Sequence, residues 1–503
     1  MISNITEKKS EKKAENSPVA EYISYFCAVV LSFIISLQSN SNIFVYREQK
    51  ADSAVFQYVA GMMLKGYMPY RDAFDHKGPL LYFINAVGLL ICKTWGIWLV
   101  EFLFLAVAFI FLYRTFRLWT GRVFSVLALM LSFASFSSYF YGGNFSEEYS
   151  VPFIAISLYI FIDYFKNDKI SNLRLILCGA SFACVLLLRP NNAGVWPVLC
   201  LCVLIHCIYK KMTKDLIRFI LYFICGMAVV IIPVMVWLLC NGIFGDFIEC
   251  YIRFNMLYSE AGFSDRINGI KLFLMDYPVL MSVLICLFFA LKNKSIRAIG
   301  HAGLIFSTLA FIALPGTMFT HYGLVLVPVI MVPYAVVLSG IDLKKKQTVF
   351  DLGQYALLVF SVLIIISPDS RYVYQRAVFD ISHSGEVFNP TSYQYIVAYS
   401  DHFTGPDDRV VYFGNCDRYY LLTDRTSATR FSYQTPIFDH AGELGWSDEY
   451  FAKLENDPPK LIGVLTPKTT ICDRDRIELF VREHDYELVL TTDDLNMYVL
   501  PDE

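Results

Sequence analysis

The sequence predicts an α-helical polytopic membrane protein that ends in a small α/β domain. Three observations predict it. The 503 residues are 56% hydrophobic and only 17% charged, with a mean hydropathy of +0.48, outside the range of soluble multidomain proteins. Apolar runs recur near 23–38, 80–92, 97–113, 123–141, 150–165, 173–188, 195–209, 216–240, 278–291, 301–314, 323–340 and 350–367, many of them close to the ~20 residues a spanning helix needs. From residue 368 onward charge rises and the apolar stretches shorten to strand length. The net charge is only −3, so no global field points to nucleic acid or to an acidic partner, and the placement of charge carries the information.

The chain opens with the polar stretch "MISNITEKKSEKKAENSPVA", and no small-residue cleavage site follows the first apolar run, which therefore reads as an uncleaved span. Six basic clusters follow in order: Lys8/Lys9/Lys12/Lys13, Arg114/Arg117/Arg122, Lys166/Lys169/Arg174, Lys210/Lys211/Lys214/Arg218, Lys292/Lys294/Arg297 and Lys344/Lys345/Lys346. Short loops rich in Lys and Arg stay cytoplasmic. Three apolar runs lie between the first two clusters, and three crossings would put the Arg114 cluster on the wrong side. The shortest run, 80–92, is therefore read as a helix lying at the outer interface, with Trp95 and Trp98 at headgroup depth.

Eleven crossings remain, with the N-terminus inside and outer loops at about 39–96, 142–149, 189–194, 241–277 and 315–322. The domains expected are a cytoplasmic tail (1–20), a transmembrane domain (21–367) with a long first outer loop, and an extracytoplasmic α/β domain (368–503). In that loop "DSAVFQYVAGMMLKG" repeats Val55, Val59, Met62 and Met63 at helical spacing and stops at Gly66, which puts Asp52 at the N-cap or first turn. In the tail "RVVYFG", "KLIGVL", "YELVLTT" and "NMYVL" read as strands and "DRDRIELFVREH" as a helix. Of the 13 cysteines, ten sit in apolar stretches as small hydrophobes. Cys250, Cys416 and Cys472 fall in polar context; Cys416 and Cys472 are candidates for one disulfide whose geometry sequence does not fix.

Three features of the outer loops call for a reason. They are Asp52 at a helix start, the group Asp72, Asp75, His76 and Lys77 before Gly78–Pro79, and the pair Glu147 and Glu148 at the mouth of a span. Taken singly each has a bland reading: a charge that solvates a helix end, an N-cap for Asp52, an interfacial hydrogen bonder for His76. Taken together with Arg189 in "LLLRPNN", they form a mixed-charge constellation confined to one face. That face suits a reaction between a lipid-bound phosphate and a hydroxyl: a carboxylate accepts the hydroxyl proton or holds a cation, while Lys77 and Arg189 offer charge-assisted bonds to a phosphate leaving group.

The stretches "DSAVFQYVAGMML", "GYMPYRD" and "FDHKGPLLYFI" resemble the GT-C class of membrane glycosyltransferases, in particular bacterial members akin to the aminoarabinose transferase of lipid A and the protein O-mannosyltransferases. The resemblance covers roughly residues 20–200 and is weaker for the tail. It implies an inverting enzyme of the bacterial inner membrane that moves a sugar from a polyprenyl-phosphate donor to a lipid-, glycan- or protein-linked acceptor on the outer face, with no nucleic acid involved.

By the same resemblance Asp52 is the catalytic acid of the first loop, with Glu147 and Glu148 at the second-loop acidic position. Lys77, with Arg189 and Arg71, contacts donor phosphate. Tyr70, Asp75, His76, His321 and Tyr322 line the pocket. A divalent cation, Mg or Mn, bridging Asp52, His76 and Glu147 stays open. Two departures stand out: Gly78–Pro79 replaces Pro–Pro, and "SEE" replaces an Asp-based pattern. Two other readings remain: a transporter or flippase of lipid-linked saccharides, and a polymerase that joins lipid-linked repeat units.

Overall fold

A computed structural model describes residues 18–49, 51–258, 262–316, 318–339, 367–434, 444–466 and 473–501. Helices α1 (Pro18–Ser36), α2 (Ala51–Leu64), α3 (Pro79–Ile91), α4 (Gly96–Arg117), α5 (Arg122–Tyr139), α6 (Ser146–Asn167), α7 (Asn172–Leu186), α8 (Val195–Tyr209) and α9 (Thr213–Cys240) come first. They are followed by α10 (Phe263–Leu274), α11 (Tyr277–Asn293), α12 (Ile296–Ile312), α13 (Val327–Leu338) and α14 (Pro368–Ser382). The C-terminal part adds α15 (Ser392–Phe403), α16 (Asp417–Thr423), α17 (Trp446–Asn456) and α18 (Arg474–Glu483).

Among the described residues six helices are long and apolar enough to cross a bilayer: α1, α4, α5, α6, α9 and the stretch Thr320–Leu338 that contains α13. The pair α10 and α11, bent by 85°, makes up to seven if taken as one span. The expected crossings at 173–188, 195–209 and 301–314 are the shorter apolar helices α7, α8 and α12, and the one at 350–367 lies outside the described residues. Helix α3, the run read as non-crossing, has 13 residues, about 20 Å at ~1.5 Å per residue, against a hydrocarbon core of ~30 Å.

The chain folds into two compact units. The first comprises Met1–Ser39, Trp98–Ile232 and Ala261–His383. It is a helical bundle around one continuous apolar core that includes Phe109, Phe136, Trp196 and Tyr334. Two of its hydroxyls are satisfied by their own helix: Ser132 donates to the Ala128 carbonyl at 2.9 Å and Ser125 to that of Gly121 at 3.0 Å, the local pairing that an environment without water favours. Helices α7 and α9 meet through reciprocal glycines. A Cβ on Gly179 would stand 1.9 Å from the Phe223 carbonyl oxygen, and one on Gly226 would stand 2.0 Å from that of Ile176. Only the missing side chains allow backbones this close.

The second unit comprises Asn40–Ile97, Pro233–Glu260 and Ser384–Glu503. It therefore joins the first expected loop to the tail, a division that does not follow the boundary drawn at 368. Strand β1 (Tyr46–Arg47) pairs in parallel with β2 (Val387–Phe388). Strands β3 (Arg409–Phe413), β4 (Thr426–Ser427), β5 (Leu461–Leu465), β6 (Glu487–Thr491) and β7 (Leu495–Val499) form a sheet of order β4-β3-β5-β7-β6. β3 is parallel to β4 and β5, while β7 is antiparallel to both β5 and β6. Central β3 and β5 are buried almost throughout, whereas β7 alternates, as strands covered on two faces and on one face do. The four strands and the helix read from the tail are all present.

Candidate active site

In the second unit the loop between α2 and α3 carries the charged motif. Met68 to Asp72 curl tightly: the Asp72 amide donates to the Met68 carbonyl at 2.9 Å, and the Asp72 carboxylate accepts from the Met68 amide at 2.8 Å. Tyr70 takes a left-handed φ of +70°, a conformation that costs an aromatic residue strain. Its amide donates to the Ala73 carbonyl at 2.8 Å and its hydroxyl to the Lys77 carbonyl at 2.9 Å. Pro79 at the first position of α3 ends the loop, with Gly78 as its extended N-cap.

Asp75 is the anchor. It is 2% exposed and accepts from the His76 amide at 2.7 Å, the Tyr82 hydroxyl at 2.9 Å and the Tyr433 hydroxyl at 3.1 Å. Burial pushes its carboxyl up from the ordinary range, and Lys77 with these three donors opposes the rise. His76 stacks on Phe254, its carbonyl accepts from the Asn255 side chain at 2.7 Å, and its Nε2 faces the Lys77 ammonium. Asp52 stands exposed in the first turn of α2, within electrostatic reach of the Tyr433 hydroxyl, as are Asp75 and Asp417. Arg71 is exposed and paired with Asp72 at 3.1 Å.

The tail completes this cluster. The Phe74 amide donates to the Arg430 carbonyl at 2.7 Å, and the Ser427 amide donates to the Tyr58 hydroxyl at 2.9 Å. Asp417, at the start of α16, is 1% exposed, and neither of its oxygens makes a hydrogen bond. Burial pushes its carboxyl up to about 7, a rise that the charge of Asp75 reinforces and that of Arg418 holds back. Cys416 is a buried free thiol facing the Phe413 and Gly414 carbonyls, and Cys472 lies outside the described residues.

The first unit brings together Glu147, Glu148, Arg189, His321 and Tyr322. Glu147 is 1% exposed and accepts from the Arg189 guanidinium and from Ser146 at 3.0 Å. Arg189 also lies over the Tyr322 ring at 4.1 Å. Burial works against its charge, and Tyr322 and Glu147 outweigh it, so its pKa is raised. His321 stacks on Phe145 with centroids 4.1 Å apart. Glu148 accepts from the Asn144 amide at 3.0 Å, the same amide that donates to Glu101, which also accepts from Ser39 at 2.6 Å. Gly143, at φ +78°, brings its backbone so close that a Cβ would lie 2.2 Å from Glu101 Oε1.

The expected residues thus divide between units: Asp52, Tyr70, Arg71, Asp75, His76 and Lys77 in the second, and Glu147, Glu148, Arg189, His321 and Tyr322 in the first. Among the described residues no group of three His, Cys, Asp or Glu is placed to hold a metal ion. His76 Nε2 faces Lys77, and Glu147 is bound by Arg189. Sequence reasoning missed Glu101, Asp417, Arg430 and Tyr433. A lone carboxylate inside the apolar run "WLVEFLFL" was the available signal for Glu101; the other three carry no local signal.

Residues 11–351 match the family model of the competence-induced protein Ccs4 N-terminal domain. The chain belongs to this family. No curated protein sequence matches it. Among solved structures, it resembles ArnT from Cupriavidus metallidurans bound to undecaprenyl phosphate, at 10% identity over 96% of this chain and 99% of that one, with a TM-score of 0.60. The apo state of the same protein matches at 11% identity, with the same coverage and TM-score. A likeness at such identity is one of fold. This Ccs4-family chain has the GT-C fold that the motifs between residues 51 and 84 led one to expect, and it is a multi-pass membrane protein.

Proposed function

We propose that the chain is a glycosyltransferase that moves a sugar from a polyprenyl-phosphate donor to a hydroxyl of a lipid-, glycan- or protein-linked acceptor. The observation that carries this reading is the full-length likeness to a protein solved with undecaprenyl phosphate. The second unit supports it, because it holds an exposed carboxylate in the first turn of α2 and a lysine on the preorganised loop that follows α2. In the reaction the acceptor oxygen attacks the anomeric carbon, Asp52 takes the hydroxyl proton, and the bond from that carbon to the phosphate oxygen breaks with its electron pair on the polyprenyl phosphate. Attack from the face opposite the phosphate inverts the anomeric centre. Lys77, with Arg71 nearby in the chain, meets the charge that develops on the leaving phosphate. Asp75 holds the loop through its three donors and so fixes the Lys77 backbone. Glu147 and Arg189 neutralise each other and take no step. The basic loops support a cytoplasmic N-terminus and chemistry on the outer face of the inner membrane.

The test is label transfer from radiolabelled polyprenyl-phosphate hexose in membranes containing the protein, with host lipid and glycan extracts as acceptors. A new labelled product that depends on the protein supports the reading; transport of labelled lipid across sealed vesicles, without any new product, overturns it.

A further inference from the structure

Met62, Tyr67, Arg71 and Asp72 of the α2–α3 loop region and Arg409, Thr429, Arg430, Phe431, Glu449, Tyr450 and Lys453 of the tail enclose a cavity of about 270 Å³ within the second unit. Its charges do not cancel. Arg71 is paired with Asp72 at 3.1 Å, and Arg430 holds Glu449 through two hydrogen bonds of 2.8 and 2.7 Å. Arg409 and Lys453 are left over. Arg409 acts on the Asp72 carboxylate only at longer range, helping to hold its carboxyl down, and among the described residues the ion pair of Lys453 is with Asp457 at 3.8 Å, between side chains 49% and 64% exposed, a pair too solvated to neutralise it.

The remaining wall is mixed: Met62, Ala428 and Thr429 stand beside Tyr67, Phe431 and Tyr450, the last two almost fully buried. An aromatic ring suits the C–H face of a sugar, and two cations with only weak counter-charges suit a phosphoryl group. The volume lies just below the ~300 Å³ lower end of ligand pockets, which suits one sugar residue and not a chain.

The geometry points to a binding site for a phosphate-bearing saccharide, its phosphoryl group held by Arg409 and Lys453 and its ring against the part-exposed Tyr67. That this saccharide is the acceptor end rests on the glycosyltransferase reading; that the pocket binds it does not. Arg409 and Lys453 carry no role in the donor chemistry, whereas Arg71, which the proposed reaction uses, lines the same cavity, so the pocket adjoins the α2–α3 loop.

The experiment titrates the full-length protein in detergent with glucose 1-phosphate, with glucose, and with a short-chain phosphatidate. Glucose 1-phosphate binds, and glucose binds at least about tenfold more weakly, since a hydrogen bond to a charged group is worth roughly a factor of ten. Arg409→Gln with Lys453→Gln weakens glucose 1-phosphate by about tenfold or more. Should the double variant unfold, Arg409→Gln alone, at an exposed position, weakens it by several-fold. Equal binding of glucose and glucose 1-phosphate, no binding of either, or unchanged affinity in folded variants overturns the inference. Binding of phosphatidate alone overturns it in favour of a lipid headgroup. Label transfer is read in parallel: a protein that transfers sugar yet fails the titration loses only this site, and one that binds glucose 1-phosphate but transfers nothing loses only the glycosyltransferase reading.

Discussion

Replacing Asp417 by Asn changes how stability depends on pH, and the structure sets the size. The carboxyl is buried, its oxygens make no hydrogen bond, and its pKa rises from 3.8 to about 7. The folded state therefore favours the neutral form. A raised carboxyl stabilises the fold in full below the unfolded value near 3.8, loses that contribution as pH rises through about 7, and contributes nothing further above it. The interval of 7 − 3.8 = 3.2, at ~1.36 kcal/mol for each pH decade, is worth about 4 kcal/mol. Asn has no proton to lose. The difference between wild-type and Asp417→Asn stability should thus be small near pH 4 and grow to several kcal/mol in favour of the variant by about pH 8. Thermal or urea unfolding of the full-length protein in detergent, at steps across that range, reads the difference and cancels the other titrating groups. Parallel curves for the two proteins would refute the reasoning and place a partner on the Asp417 carboxylate.

Arg189→Ala should destabilise the first unit by about 3–5 kcal/mol, because it leaves Glu147 buried without its counter-charge; adding Glu147→Gln should recover much of that loss in the same unfolding assay. Tyr433→Phe removes one of three donors to Asp75 and should cost about 1 kcal/mol, with label transfer falling as the loop loosens. Gly143→Ala, which would set a Cβ 2.2 Å from Glu101 Oε1 at a left-handed φ, should cost about 1–3 kcal/mol, whereas Gly245→Ala, with open space around it, should be nearly neutral.

Local patterns were legible wherever one short segment carried its own signal. The tail strands β3, β5, β6 and β7 showed apolar stretches of strand length bounded by turn residues. The α2–α3 loop showed its charges packed against Gly78–Pro79, and its family motif pointed to the fold. Contacts between distant segments were not legible. Tyr433 reaches Asp75 across 358 positions, and Arg430 meets Glu249 across the same unit; neither sits in a pattern that announces a partner. Glu101 was hidden because the apolar count around it outweighs one carboxylate. Arg189 was read as a free cation for phosphate, and the structure gives its charge to Glu147 and its face to Tyr322, because periodicity says where a side chain lies and not what it meets. The length of an apolar run likewise separates α3 from a span but leaves α7, α8 and α12, of 15 to 17 residues, short of the usual length.

The central claim is that an exposed carboxylate at the start of α2 removes the acceptor proton during sugar transfer. Asp52→Asn tests it most directly, since Asp52 is exposed and its replacement leaves the packing around α2 intact. Membranes with equal amounts of each protein are given radiolabelled polyprenyl-phosphate hexose and host acceptors, and the rate of label transfer is compared. The account predicts a loss of about 10²-fold or more, the range of general-base catalysis, with unfolding unchanged; transfer by the folded variant at the wild-type rate would contradict it.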